Sequence, residues 1–445
     1  DIDGDFGPMF LDEVGVPTLP LVAMSEATEA INDVEVSLVL DVSGSMGWNS
    51  KLSRMQGAAN DFVTQILQGA EDGRVSVSVV PYSTQVSVGP RLMSMMNTHH
   101  NHNLSHCVNF PGNSFNQTDI NPGVSLPQTA HFDPWKGWNQ SRDPENFVCR
   151  TESYMDILPW QNDVTTLTNR INALEAAGNT SIDVAVKWGA ALLDPSLQTQ
   201  LTSMQVTGEV PPEFVQRPFA FDRPDTLKFI VVMTDGINTQ QYYLRNQFKT
   251  GNSPIWLYDE DNTSNDPNDI YFSSFDPEPG DLDGDGDSGE EYWAPHDRSF
   301  RDQPFHDQPS GYEGPVDLED DETLRQLSWQ EVWQTMSLSW RSYEFFYEQE
   351  RNANHYYRNY YQGGDAPMTW VNASTKDNRL DQICSAAKDQ NVVIFAIGFE
   401  VTDASAQVMR DCASTPSHFY RVEGLDIEFA FASIANKINQ LKLTQ

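Results

Sequence analysis

The sequence predicts an α/β fold built on a doubly wound, mostly parallel sheet, and three observations predict it. Apolar segments of strand length recur along the chain, segments of helical period stand between them, and several strand ends run into turns rich in oxygen-bearing side chains. Strands covered on both faces read as near-continuous apolar runs. VEVSLVL (34–40), RVSVSVVPY (74–82), LKFIVVMT (227–234) and VVIFAIGF (392–399) read that way.

Between the first two strands, residues 51–67 place Leu52, Met55, Ala59, Phe62 and Ile66 on one helical face. Residues 164–174 and 182–193 also carry a helical pattern, the latter through Ile182, Val186, Ala190 and Leu193. A helix is expected over 380–388, ahead of the fourth long strand. A short strand over 418–422 then leads to a closing helix, 427–441, with Phe431, Ile434, Ile438 and Leu441 in register.

Two stretches break this rhythm. Residues 90–161 are rich in Asn, Pro, His and aromatics, and residues 240–376 are acidic at first and aromatic later. Compact domains seldom hold structureless loops of that length, so both are read as insertions with folded parts of their own. Residues 1–33 are read as a lead-in segment and 34–445 as the interrupted α/β domain. No internal repeat of fixed period is found.

Of the 445 residues, 64 are Asp or Glu and 27 are Lys or Arg, a net charge of -37. A phosphate backbone or an anionic membrane surface repels such a chain, which excludes nucleic acid as a natural partner. No apolar run approaches the ~20 residues that cross a bilayer. The chain opens on Asp1 and not on Met, and the expectation is a processed product from which a targeting segment has been removed. The four cysteines fall into two neighbourhoods, Cys107 with Cys149 and Cys384 with Cys412. Two disulfides in an oxidising compartment fit that grouping; four buried free thiols are the other reading.

The residues that carry chemistry begin with Asp41-Val-Ser43-Gly-Ser45, directly after the first strand. A strand end turning sharply into a helix presents successive side chains at the carboxyl edge of the sheet, where open α/β folds hold their ligands. A carboxylate and two hydroxyls are hard oxygen donors suited to Mg²⁺ or Mn²⁺. Gly178-Asn-Thr180 lies before a helix and adds a third hydroxyl. Val232-Met-Thr234-Asp235-Gly236 closes a later strand, and Asp235 is placed to hold metal-bound water. The expected metal set is therefore Asp41, Ser43, Ser45, Thr180 and Asp235; the competing reading is helix capping by the hydroxyls with two structural aspartates.

These five residues resemble the metal-ion-dependent adhesion site of von Willebrand factor A domains. More closely, the chain resembles TadG-like proteins of bacterial tight-adherence (Tad/Flp) pilus systems. The words that carry the likeness are EVSLVLDVSGSMG (35–47), GNTSIDVAVKWGAALLDP (178–195), LKFIVVMTDGINT (227–239) and FASIANKINQLKLTQ (431–445). The resemblance implies a von Willebrand A, Rossmann-like fold whose ion keeps a position open for an acidic group on a protein partner. It also implies an extracytoplasmic place at the bacterial surface, in contact with pilus or envelope components. Family members begin with an export sequence and a membrane-anchoring helix, which are not in these 445 residues. Two other functions stay open at this point: a calcium-stiffened structural envelope protein, and an intracellular A-domain subunit of a chelatase or AAA-type machine. An enzyme is not expected, since Gly44-Ser-Met-Gly47 is not a G-x-S-x-G elbow and neither H-E-x-x-H nor a P-loop occurs.

Asp281, Asp283, Asp285 and Asp287, with Gly286, imitate the start of a calcium loop, although Tyr292 stands where its closing Glu belongs. Residues 250–297 hold 14 acidic side chains and no Lys or Arg, so bound Ca²⁺ or a solvated acidic loop would separate the charges. Asp1, Asp3 and Asp5 repeat the pattern more weakly. His99, His100, His102 and His106 beside Cys107 read as a polar surface loop, with a transition-metal site as the alternative. Trp329, Trp333, Met336, Trp340, Tyr343 and Tyr347 fall at helical spacing and read as a core stripe, with a sugar-binding platform as the alternative.

Overall fold

The computed structural model describes residues 5–6, 19–20, 32–259, 270–276, 291–296, 298–301, 304, 324–350 and 366–442. Six strands make the main sheet: β1 (Asp33–Asp41), β2 (Val75–Tyr82), β3 (Leu158–Gln161), β4 (Thr226–Thr234), β5 (Val393–Phe399) and β6 (Phe419–Val422). Their order is β6-β5-β4-β1-β2-β3, parallel throughout except for β3, which runs antiparallel to β2 at the edge. This is the doubly wound, mostly parallel α/β sheet that the apolar runs imply.

Alternation along each strand divides the core in two. Val39, Val80, Ile230, Val232, Ile394 and Ala396 point to one face, where they meet α3 (Ile182–Ala191), α4 (Ala373–Asp389) and α5 (Asp403–Cys412). Val36, Leu38, Val77, Val79, Phe229, Val231 and Phe395 point to the other, under α1 (Lys51–Leu67), α2 (Val164–Asn172) and α6 (Asp426–Lys442). There Phe62 of α1 and Phe431 of α6 meet edge to face at 5.8 Å. Each such aliphatic or aromatic side chain contributes roughly 1.5–3 kcal/mol on burial, and both faces are filled.

Two boundaries differ from the sequence expectation. The helix expected over 380–388 begins at Ala373, capped by Asn372, whose side chain accepts from the Thr375 amide at 2.8 Å. Its first two turns are polar, so apolar period alone does not reveal them. The aromatic stripe is also not one helix. Helices Trp329–Thr335 and Leu338–Ser342 are each capped by serine, Ser328 and Ser337, and Met336 between them is extended. Trp329, Trp333 and Met336 lie buried in a second core with Phe132, Ile255, Leu257 and Phe272, which is the core role expected of the stripe.

That second core sits over a five-stranded antiparallel sheet ordered Ser299–Arg301, Glu291–Ala294, Ile270–Asp276, Asn252–Asp259 and Leu324–Ser328. The two ends of this long excursion are clasped, because Gln241–Leu244 pairs antiparallel with Met368–Val371. Residues from 90–161 serve both cores: Leu92, Phe110 and Trp160 join the first, and Phe132 and Val148 join the second. Asp5–Phe6 pairs antiparallel with Leu19–Pro20. All four cysteines are paired, Cys107 with Cys149 and Cys384 with Cys412, the second bond tying α4 to the end of α5. Among the described residues no helix is long and apolar enough to cross a membrane.

The histidines of the 90–161 stretch do not gather into a metal site: among the described residues no three His, Cys, Asp or Glu side chains are placed to hold an ion. His100 bonds Thr98, and His102 bonds the Thr129 carbonyl. His131 is buried and stacked on Phe147 at 3.8 Å, and burial pushes its pKa down to about 3, helped by nearby His102. Its folded pKa therefore lies below the ordinary 6.5 of the unfolded chain, and the stability it contributes is full above pH 6.5 and lost as pH falls towards 3. Across that window the loss amounts to roughly 4–5 kcal/mol. We expect His131→Leu to lose less melting temperature than the wild type between pH 7 and pH 4.5, by about 5 °C in a thermal melt. Parallel acid profiles for the two proteins would refute this.

Candidate metal centre

The expected ligands gather at the carboxyl edge of the sheet, where β1 and β4 end side by side. β1 delivers Asp41 as its last residue, and a short helical turn, Gly44–Gly47, follows at once. This turn folds the chain back so that the Asp41 carboxylate accepts from the Ser43 amide at 2.8 Å. Ser43 Oγ and Ser45 Oγ stand 3.3 Å apart, and Ser45 Oγ donates to Asp235 Oδ1 at 2.6 Å. Asp41, Ser43, Ser45 and Asp235 thus form one hydrogen-bonded group.

The loop that carries Thr180 is bonded through its backbone to the segment that follows Asp41. Gly44 N donates to Gly178 O at 2.9 Å, and Ala177 N donates to Val42 O at 2.9 Å. Gly178 holds a φ of +83°, and a Cβ there would lie 2.9 Å from Thr84 Oγ1. Only glycine suits both the backbone angle and the space, which is why this turn reads G-N-T. Beyond it, Thr180 exchanges bonds with Thr239: Thr180 N donates to Thr239 Oγ1 at 3.0 Å, and Thr239 N donates to Thr180 O at 3.0 Å.

The electrostatics of this edge are dominated by burial. Asp41 has no exposed surface, and desolvation, reinforced by the neighbouring Asp235 charge, raises its pKa to about 6. Thr234 Oγ1 donates to Asp41 Oδ2 at 2.7 Å. Lys51 Nζ donates to Asp235 Oδ2 at 3.0 Å and lies 3.6 Å from Glu400. Two carboxylates and three hydroxyls, with no sulfur or imidazole among them, make a hard oxygen set, and the donors fit Mg²⁺ or Mn²⁺. Asp41, Ser43, Ser45 and Thr180 are the residues that could hold such an ion, with Asp235 acting through water.

Three further residues belong to this edge. Thr234 is visible in principle, since it precedes Asp235 at the end of an apolar strand. Glu400 follows directly after β5 and obeys the same rule that strand ends at this edge hold ligands. Lys51 has no such signal, being one polar residue at the start of an amphipathic helix. Asp281, Asp283, Asp285 and Asp287 lie outside the described residues, as do Asp1 and Asp3 and the side chain of Asp5.

No protein-family model matches the chain, and no curated protein matches it. Among solved structures it is similar to the vWF domain of the type V pili tip protein Mfa5 from Porphyromonas gingivalis. That match has 14% identity and a TM-score of 0.38, covering 93% of this chain and 97% of that one. It is also similar to the adhesive tip pilin GBS104 from Group B Streptococcus agalactiae, at 12% identity and a TM-score of 0.34, covering 91% of this chain and 100% of that one. A third match is the PilB minor pilin from Streptococcus sanguinis, at 14% identity and a TM-score of 0.34, covering 94% of this chain and 64% of that one.

Proposed function

We propose that this chain is a non-enzymatic binding or assembly module of the bacterial cell surface that takes an acidic group of a protein partner through a divalent ion. The observation that carries the reading is the convergence of Asp41, Ser43, Ser45 and Asp235 at one sheet edge, with a wholly buried Asp41 carboxylate beside a second carboxylate. A buried anionic pair of that kind is costly unless cations accompany it, and of the two acids Lys51 pairs only with Asp235, which leaves the Asp41 charge to a bound ion. Bound Mg²⁺ or Mn²⁺ supplies that charge and a Lewis-acidic position that a partner's carboxylate can fill. The residues of the chain orient the ion and exclude water around it. Trp48 and Ile237, 69% and 51% exposed, stand three residues after Ser45 and two after Asp235, and offer a partner apolar surface beside the centre.

The two disulfides support an oxidising, extracytoplasmic compartment and weigh against the intracellular machine. The pilus context rests on the sequence words shared with TadG-like proteins. Pili or envelope fractions passed over immobilised protein test the reading directly. Retention on the wild type should depend on Mg²⁺, and Ser43→Ala should weaken it about tenfold or more. Equal retention on both proteins, with and without chelator, would remove the metal from the mechanism.

A further inference from the structure

We infer that Lys376 is a positioning residue for the metal centre, fixing the Thr180 loop from the point where the 240–376 excursion returns to the sheet domain. The inference rests on the proposed function, because it assigns Lys376 a part in holding that same ion. Lys376 lies in the first turn of α4 and has no exposed surface. Its ammonium donates to Thr180 O at 2.8 Å, Ser181 Oγ at 2.6 Å and Thr239 O at 2.8 Å. Those acceptors belong to two loops, the one that presents Thr180 and the one that follows Asp235. One ammonium therefore fastens together both loops that flank the centre on this side.

The charge arrangement sets this lysine apart from one that merely fills space. Asp183 lies 3.9 Å away, wholly buried, with Arg379 as a second nearby cation, and no side chain donates a hydrogen bond to its oxygens among the described residues. All three ammonium protons go to the loops and none to Asp183, which serves as the balancing charge. A methionine would fill the same volume, so the chemistry that demands lysine here is donation to loop oxygens. The same turn of α4 also clamps the second loop, since Asn238 Nδ2 donates to Asp377 Oδ1 at 2.9 Å while Asn238 Oδ1 accepts from Ile182 N at 2.8 Å. Just upstream, Val371 pairs with Gln241 in the clasp that closes the excursion. The position of Thr180 is thus tied to the base of the second folded unit by a lysine four residues past Asn372, the cap of α4.

The test is Mn²⁺ affinity by calorimetry and by the spin signal of the free ion, on the full chain. Lys376→Met removes the donors; Lys376→Met with Asp183→Asn removes them while keeping charge balance, and serves if the single variant does not fold. Lys187→Met is the control: this lysine is also buried, but its ammonium holds the Gln117 and Asp119 carbonyls, away from the centre. We expect the Lys376 variants to bind Mn²⁺ about tenfold or more weakly, and Lys187→Met within about twofold of wild type. Folded Lys376 variants of wild-type affinity would overturn the inference and leave the metal reading standing. A wild type that binds no Mn²⁺ would overturn both. On the wild type alone, Mn²⁺ should slow amide exchange in 178–181 and 237–239 together; protection of the first loop without the second would also overturn it.

Discussion

Replacing Asp41 with alanine is expected to lower Mg²⁺ and Mn²⁺ affinity on the order of a hundredfold or more while the protein stays folded. The affinity effect follows from position: Asp41 is the last residue of β1 itself, and its oxygens are already oriented by Ser43 N and Thr234 Oγ1. The fold effect is small because two contributions oppose each other. Losing two hydrogen bonds at a buried acceptor costs roughly 1–3 kcal/mol. Against this, the substitution removes a desolvated anion that faces Asp235 across the site. Calorimetry on the variant, with circular dichroism and a melt as the folding check, decides the matter. A folded variant with affinity within about twofold of wild type would end the assignment of this centre.

The second large effect lies at the opposite end of the sheet. Arg217 is buried, and its guanidinium donates to Val34 O, Ser76 Oγ, Gly73 O and Arg74 O at 2.7–2.9 Å. The same group lies 3.4 Å from Asp33 and 3.5 Å from Glu35, both on β1 and both buried. Its flat faces meet Phe214 and Phe219 at 5.2 and 4.9 Å. Arg217→Met keeps most of the volume and leaves two acids with less positive charge, Lys228 and the partly exposed Arg74 and Arg223 being what remains. Breaking a buried ion pair by removing one partner costs about 3–5 kcal/mol, and that is the loss of unfolding free energy expected in urea. Arg217→Met with Glu35→Gln should recover part of it, because the orphaned charge goes too. A single variant as stable as the wild type would mean that water or the remaining cations neutralise these acids.

Much of the candidate centre was legible because its residues follow strand ends. Asp41, Ser43 and Ser45 come from one unbroken word, and Thr180 and Asp235 stand beside elements that the apolar pattern already marks. What was not legible were the residues that neutralise and brace them. Lys51 looks like the polar start of an amphipathic helix, and Lys376 falls in a polar turn that apolar period missed altogether. The aromatic stripe shows the converse failure: its spacing suits one continuous helix, yet Ser328 and Ser337 cap two short ones, because local capping hydrogen bonds outweigh a period measured across the break.

By itself the sequence determined the two periodicities, and through them a parallel sheet wrapped by helices, the pairing neighbourhoods of its cysteines, and the order in which oxygen-bearing turns arrive at one edge. Those are properties of adjacent residues, and side-chain geometry repeats every two residues in a strand and every 3.6 in a helix. Only the tertiary structure decided which charges meet. Lys51 reaches Asp235 across 184 positions, Lys376 reaches Thr180 across 196, and Arg217 reaches Asp33 across 184. Hydrogen bonds and buried ion pairs act over a few ångströms of space, and no local pattern encodes which distant residues the folded chain will bring within that reach.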